Sequence, residues 1–205
     1  MEWNPNWATD KEFKDFFIKR KGLIIGRGQN DDYQIQSALN RFHGIKIGCN
    51  RAYVSCKIDI LIWMDPAFFE KNWHEIKELD CLKFALNPVH YDHHGITDIR
   101  GIKANHPGRC SLNIDSGFYP CNLSGYVALN LALIIGLNPI WLYGFCPNTD
   151  IVRQRSESFK MLADWANKNR RQIYIADEES YLRKFFEYKK IPLRANKRKL
   201  KKETN

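Results

Sequence analysis

Lys21-Gly22-Leu23-Ile24-Ile25-Gly26-Arg27-Gly28-Gln29-Asn30 is the stretch on which the fold turns. A short apolar run from Lys21 to Ile25 stops at Gly26-Arg27-Gly28, which reads as a strand followed by a tight turn. Similar runs follow at Ile45–Cys49, Asp59–Met64 and Cys81–Leu86, then at Pro139–Tyr143 and Gln172–Ala176. Helical patterns lie between them. Residues 10–20 put Phe13, Phe16 and Phe17 on one face with Asp10 as a cap. A short helix is expected at 31–41, and one at 66–79 opened by Pro66. Ser124–Gly136 places Val127, Leu131 and Ile134 on one side and the small residues Gly125, Ala128 and Ala132 for close packing. Further helices are expected at Arg153–Asn169 and Ser180–Tyr188.

Strands alternating with helices predict one α/β domain, a mostly parallel Rossmann-like sheet with helices on both faces. The division expected is an N-terminal helix at 1–20, the sheet domain at 21–188 and a basic tail at 189–205. Residues 87–121 interrupt the pattern. They hold four of the six histidines, four glycines and three prolines with little periodicity, a long irregular excursion of the kind that is usually functional or mobile.

In parallel sheets ligands bind beyond the carboxyl ends of the strands, so the residues that end each strand are the candidates. Gly26 and Gly28 let the backbone pass close to a ligand, although Asp31 stands where a full dinucleotide fingerprint needs its third glycine. Asn50, next to Arg51, offers a donor and an acceptor to a base or ribose. Asp65 suits a ribose hydroxyl or a metal, and suits the N-cap of the next helix equally. Ser124 or Asn122 can cap the long apolar helix, whose free N–H groups form an anion site with Gly125. The strand at 139–143 ends in Gly144-Phe145-Cys146.

His90-Tyr91-Asp92-His93-His94 lies in the excursion. A neutral imidazole there, from His93 or His94, can serve as a general base near neutral pH. His90 with His94 or Asp92 can instead bind a metal, and a set of surface histidines needs no role at all. Arg27, Arg51, Arg100 and Arg109 are available to neutralise a leaving phosphate. Core packing accounts for Trp63, Trp73, Trp141 and Trp165.

Bulk properties narrow the class. The formal charge of +9 is almost all in residues 189–202, which hold eight Lys or Arg and no acid, so the rest carries +1. Such a stretch is a solvated tail or a holder of polyanions such as nucleic acid. No apolar run is long enough to span a bilayer, and the first residues do not read as a signal peptide. The six cysteines (49, 56, 81, 110, 121 and 146) form no C-x-x-C pair and match no zinc spacing, so they read as reduced and structural. A cytoplasmic protein without membrane partners is expected, in the host cytoplasm if it is viral.

Taken together, the segments at 23–30, 48–53 (Gly-Cys-Asn-Arg-Ala-Tyr), 64–69 (Met-Asp-Pro-Ala-Phe-Phe), 124–136 (S-G-x-x-A-L-x-L-A-x-x-x-G) and 142–145 (Leu-Tyr-Gly-Phe) resemble a Rossmann-like superfamily. Its members include the Campylobacter-type bacterial sialyltransferases, the Maf flagellin-glycosylation proteins, the methanopterin-pathway pyrophosphokinases and related phage proteins. The resemblance covers most of residues 22–146 in the expected order. It implies a nucleotide-sugar donor of CMP or UDP type, with Gly26, Gly28 and Asn30 facing phosphate, Asn50 and Asp65 contacting base or sugar, and Arg27 and Arg51 among the donor-binding residues. Ser124, Gly125 and Gly144 complete the set, and no cofactor is required. Three departures stand out. Gln29-Asn30 replaces the family's Pro-Ser, Cys146 replaces an acid, and no His follows His106 to act as a base from a lid. The open acceptor side this leaves suits a large acceptor, nucleic acid among them. The pyrophosphokinase relatives imply an alternative, transfer from ATP with Mg²⁺ beside Asp65. A binding protein without catalysis is the third reading.

Overall fold

Gly22–Ile25, the run that opened the argument, forms β1 and is buried at all four residues. The computed structural model describes residues 15–26, 33–86, 94–96, 98–102, 123–145 and 156–193. The remaining strands are β2 (Ile45–Cys49), β3 (Ile60–Trp63), β4 (Leu82–Leu86), β5 (Ile99–Ile102), β6 (Ile140–Tyr143), β7 (Ile173–Ile175) and β8 (Glu187–Tyr188). The helices are α1 (Tyr33–Asn40), α2 (Pro66–Lys77), α3 (Ser124–Ile134) and α4 (Ser156–Lys168). All eight strands join one sheet in the order β5-β4-β3-β2-β1-β6-β7-β8, and every neighbouring pair is parallel.

The apolar runs do not alternate with polar residues because both faces are covered. Successive side chains go to opposite layers. Ile24, Ile60, Ile62, Leu142 and Ile175 pack with α3 and α4. Leu23, Ile25, Leu61, Trp63 and Trp141 pack with Leu39 of α1 and with Phe69 and Ile76 of α2. Helix α3 is buried from Tyr126 to Leu133, so it reads as apolar all round. It stops where Gly136 takes a φ of +82°, a left-handed ending that suits glycine.

Three expectations are corrected. The irregular excursion contains β5, which pairs along β4 from Lys83↔Ile99 to Leu86↔Ile102. The helix expected over Ser180–Tyr188 is a single 3-10 turn, Tyr181–Lys184, followed by β8. The hydroxyl of Ser180 accepts the Leu182 N–H and starts the turn, and pairing of 187–188 with β7 then outweighs helical continuation. The basic stretch also begins on the body of the protein. The Lys189 N–H donates to Ile175 O, Ile191 and Leu193 pack on the second layer, and Leu193 bridges Phe42 antiparallel. Of the N-terminal helix, residues 15–17 are helical and Phe17 is fully buried. Asp10 and Phe13 lie outside the described residues.

Candidate functional site

The strand order reverses between β1 and β6, and in parallel sheets ligands bind beyond the carboxyl ends of the strands at such a switch point. Four chain segments converge there. The Gly26 N–H donates to Tyr143 O at 2.7 Å, which ties the end of β1 to the end of β6. A Cβ on Gly26 would stand 2.4 Å from the Gly144 carbonyl oxygen. One on Gly125, at the start of α3, would stand 2.4 Å from the Phe145 ring. Gly144 itself has a φ of +76°. These glycines are therefore required by a tight joint between β1, β6 and α3.

Asn50 and Ser124 are brought together although far apart in sequence. The Ser124 hydroxyl donates to Asn50 Oδ1 at 3.2 Å, linking the end of β2 to the start of α3. Asn50 has a φ of +52°, a backbone state that Asn tolerates better than most residues, and it opens the 3-10 turn Asn50–Val54. With its Oδ1 engaged, the amide nitrogen is the group left to donate to a ligand. The cap expected from Ser124 or Asn122 is not made by Ser124. The N-cap position is Leu123, and no side chain among the described residues caps α3. The first N–H groups of this buried helix and the positive end of its dipole lie at its start, beside the Asn50–Ser124 contact. Asn122 lies outside the described residues.

A residue the strand-end reasoning passed over completes the joint. Asp177 follows β7, and its two carboxylate oxygens accept the N–H of Gly144 (3.1 Å) and of Phe145 (2.9 Å). The Ser180 hydroxyl donates to the Phe145 carbonyl at 3.2 Å. Burial raises the Asp177 carboxyl above its ordinary value, and the two N–H bonds pull it back down. The signal was the same as for the other strands, a polar residue just past an apolar run, here Ile175-Ala176-Asp177.

Other predicted residues have structural surroundings of their own. Asp65 is the N-cap of α2, its Oδ1 accepting the Ala67 N–H at 2.9 Å. Arg51 is exposed on the 3-10 turn, which Tyr53 anchors to α2 through a 2.6 Å bond to Glu75. His94 is held by α2. Its Nε2 lies 3.0 Å from Glu70 Oε2, its ring stacks on Trp73 at 4.6 Å and meets Phe69 edge-on at 5.4 Å. That clamp gives His94 a packing role on α2. Arg27, Gly28, Asn30, His93 and Cys146 lie outside the described residues. Among the described residues no group of three or more His, Cys, Asp or Glu could hold a metal ion, and no helix is long and apolar enough to cross a membrane. Cys49, Cys56 and Cys81 are free and buried, with burial pushing their thiols up to about 12, 11 and 11, values at which little reactive thiolate forms near neutral pH.

No family model and no curated protein matches the chain. Solved structures do. The sialyltransferase CstII from Campylobacter jejuni, in complex with the substrate analogue CMP-3FNeuAc, matches at 14% identity over 91% of this chain and all of that chain, with a TM-score of 0.52. The same enzyme in complex with cytidine-5′-monophosphate matches at 15% identity over 85% and 86%, with a TM-score of 0.51. An alpha-2,3-sialyltransferase from Campylobacter jejuni in apo form matches at 14% identity over 99% and 100%, with a TM-score of 0.51. At this identity the likeness is one of fold, and it agrees with the parallel sheet described above.

Proposed function

We propose that the chain is a glycosyltransferase-like enzyme that takes a sugar from a nucleotide-sugar donor of CMP or UDP type. The observation that carries this reading is the contact at the β1–β6 reversal, where Asn50 and Ser124 meet at 3.2 Å at the start of α3. A helix start of this kind suits a phosphate, and the Asn50 amide suits a base or sugar edge. In this reading Gly26, Arg27, Gly28, Asn30, Ser124, Gly125 and Gly144 surround the phosphates and the transferred sugar. Asn50, Arg51 and Asp65 border the base and ribose. The sialyltransferases that share the fold are complexed with CMP and with a CMP-sugar analogue, which supports a donor of that class.

The reaction needs an acceptor hydroxyl to lose a proton as the bond from the sugar to the donor phosphate breaks, with the nucleotide leaving as an anion. The dipole of α3 stabilises that leaving charge. The base is assigned to His93 in preference to His94, whose ring is engaged on α2. The acceptor is large, and the basic residues at 189–202 favour a polyanion such as nucleic acid.

Calorimetric and thermal-shift titration with CMP, UMP, UDP, ATP and their sugar conjugates, with and without Mg²⁺, tests the reading. A cytidine or uridine nucleotide should bind without metal and, at 100 times its Kd, add about 2.7 kcal/mol of stability. Binding of ATP only with Mg²⁺ would favour the pyrophosphokinase-like alternative. No binding by any of them would remove the β1–β6 joint as a nucleotide site.

A further inference from the structure

We propose that the opposite rim of the sheet carries a second ligand site, for a phosphate ester whose other end bears hydroxyl or amino groups. A cavity of about 910 Å³ opens there, at the amino ends of β1, β2 and β3, within the size range of small-molecule sites. It is walled by four parts of the chain: Phe16 and Arg20 before β1, His43 and Gly44 before β2, Lys57 and Asp59 before β3, and Pro192 and Leu193 near the end of the described chain. None of these residues belongs to the β1–β6 joint, and the inference does not depend on the reading of that joint.

The charges have a division of labour. Arg20, Lys21 and Lys57 are exposed at the mouth, and none of them forms an ion pair among the described residues. The Arg20 guanidinium is nonetheless placed, 4.0 Å above the Phe16 ring. Three unspent cations around one opening recognise a phosphate. Deeper in stands Asp59. Its Oδ2 accepts the Lys46 N–H at 2.7 Å, and among the described residues its Oδ1 accepts no hydrogen bond. On a half-buried Asp59, an oxygen with a free lone pair is a place for a ligand hydroxyl or amine. Burial raises this carboxyl, against the Lys46 N–H and the nearby charges of Lys46, Lys57 and Arg20. A donor from a ligand would favour its ionised form. Asp80 at the edge disfavours a bare anion crowded against that side, so the phosphate belongs with Arg20, Lys21 and Lys57.

D-Ribose 5-phosphate, with inorganic phosphate for comparison, is the probe, titrated calorimetrically into the full chain. One equivalent should bind, more tightly than phosphate, and saturating CMP should leave the binding unchanged. Arg20→Ala with Lys57→Ala should weaken ribose 5-phosphate about tenfold or more at an unaltered melting temperature, because both side chains are exposed. Asp59→Asn should erase the preference for ribose 5-phosphate over phosphate. A 5′-phosphorylated tetranucleotide separates two sources of the same chemistry. Competition with ribose 5-phosphate assigns the site to a nucleic-acid end, and its failure to compete assigns it to a free sugar phosphate. Absence of ribose 5-phosphate binding, its displacement by CMP, or indifference to the Arg20 and Lys57 substitutions would overturn the proposal. Because ribose 5-phosphate is tested with and without CMP, failure of CMP itself to bind would bear on the β1–β6 joint alone.

Discussion

At the carboxyl rim the short approaches are of protein to protein. The Gly144 carbonyl fills the space beside Gly26, the Phe145 ring fills the space beside Gly125, and Asp177 takes up the two N–H groups of the Gly144-Phe145 loop. At the amino rim, Arg20, Lys21 and Lys57 line an open cavity and form no ion pair among the described residues. The difference teaches which substitutions report on folding and which report on ligands. In the joint, a change disturbs stability before it disturbs binding. Around the cavity, a change to a cation leaves the fold alone, because surface substitutions away from packed features are nearly neutral.

The strongest way to break this contrast is Gly26→Ala. Its Cβ meets backbone, which cannot swing aside, so denaturant unfolding should show a loss of about 3 kcal/mol. A loss below about 0.5 kcal/mol would mean the joint is looser than its distances. Asp177→Ala comes next. It strips the acceptors from two partly buried N–H groups, at an expected cost of about 1–2 kcal/mol, with Asp177→Asn recovering part of it.

The pH dependence sharpens the same point. Burial sets the folded pKa of Asp177 above its unfolded value, so its contribution is present below the unfolded value and is lost as pH rises through the folded one. Stability of Asp177→Asn measured relative to the unsubstituted chain should therefore improve as pH rises above the ordinary carboxylate value of about 4. A flat difference would mean the carboxyl is not held as described. The smallest effect is expected from Lys57→Ala, within about 0.5 kcal/mol by the same unfolding measurement, and a larger loss would show that the amino rim is also structural.

What the sequence disclosed follows from the same geometry. Leu23-Ile24-Ile25 and Leu61-Ile62-Trp63 are apolar at every position because helices cover both layers, so the central strands announce themselves. Edge strands do not. Ile99-Arg100-Gly101-Ile102 carries a charge and a glycine, and Glu187-Tyr188 is too short to show a period, so both exist only through pairing with β4 and β7. Gly26, Gly144, Asn50 and Ser124 were visible as strand-end residues. The contact between Asn50 and Ser124 was not, since nothing local to either residue states the strand order. Asp177 was within reach of the same rule, which was not carried to β7. His94 was ambiguous because imidazole suits chemistry and packing alike, and its stack on Trp73 is invisible in the sequence. The cavity was hidden for a different reason. Its cations come from segments before the strands, where the ligand rule for parallel sheets does not look.

The pairing of β1 with β6 also has a consequence in time. Gly22 lies beside Ile140, with the chain of four other strands between them, so this seam closes one of the longest loops in the fold. Loops of that kind slow folding, because their closure is costly before their contacts form. As the chain leaves the ribosome, β1 to β5 are complete while the outer edge of β1 still waits for its neighbour. The β1–β6 joint is thus the last part of the sheet centre to come into being, and an emerging chain lacks it until its second half has arrived.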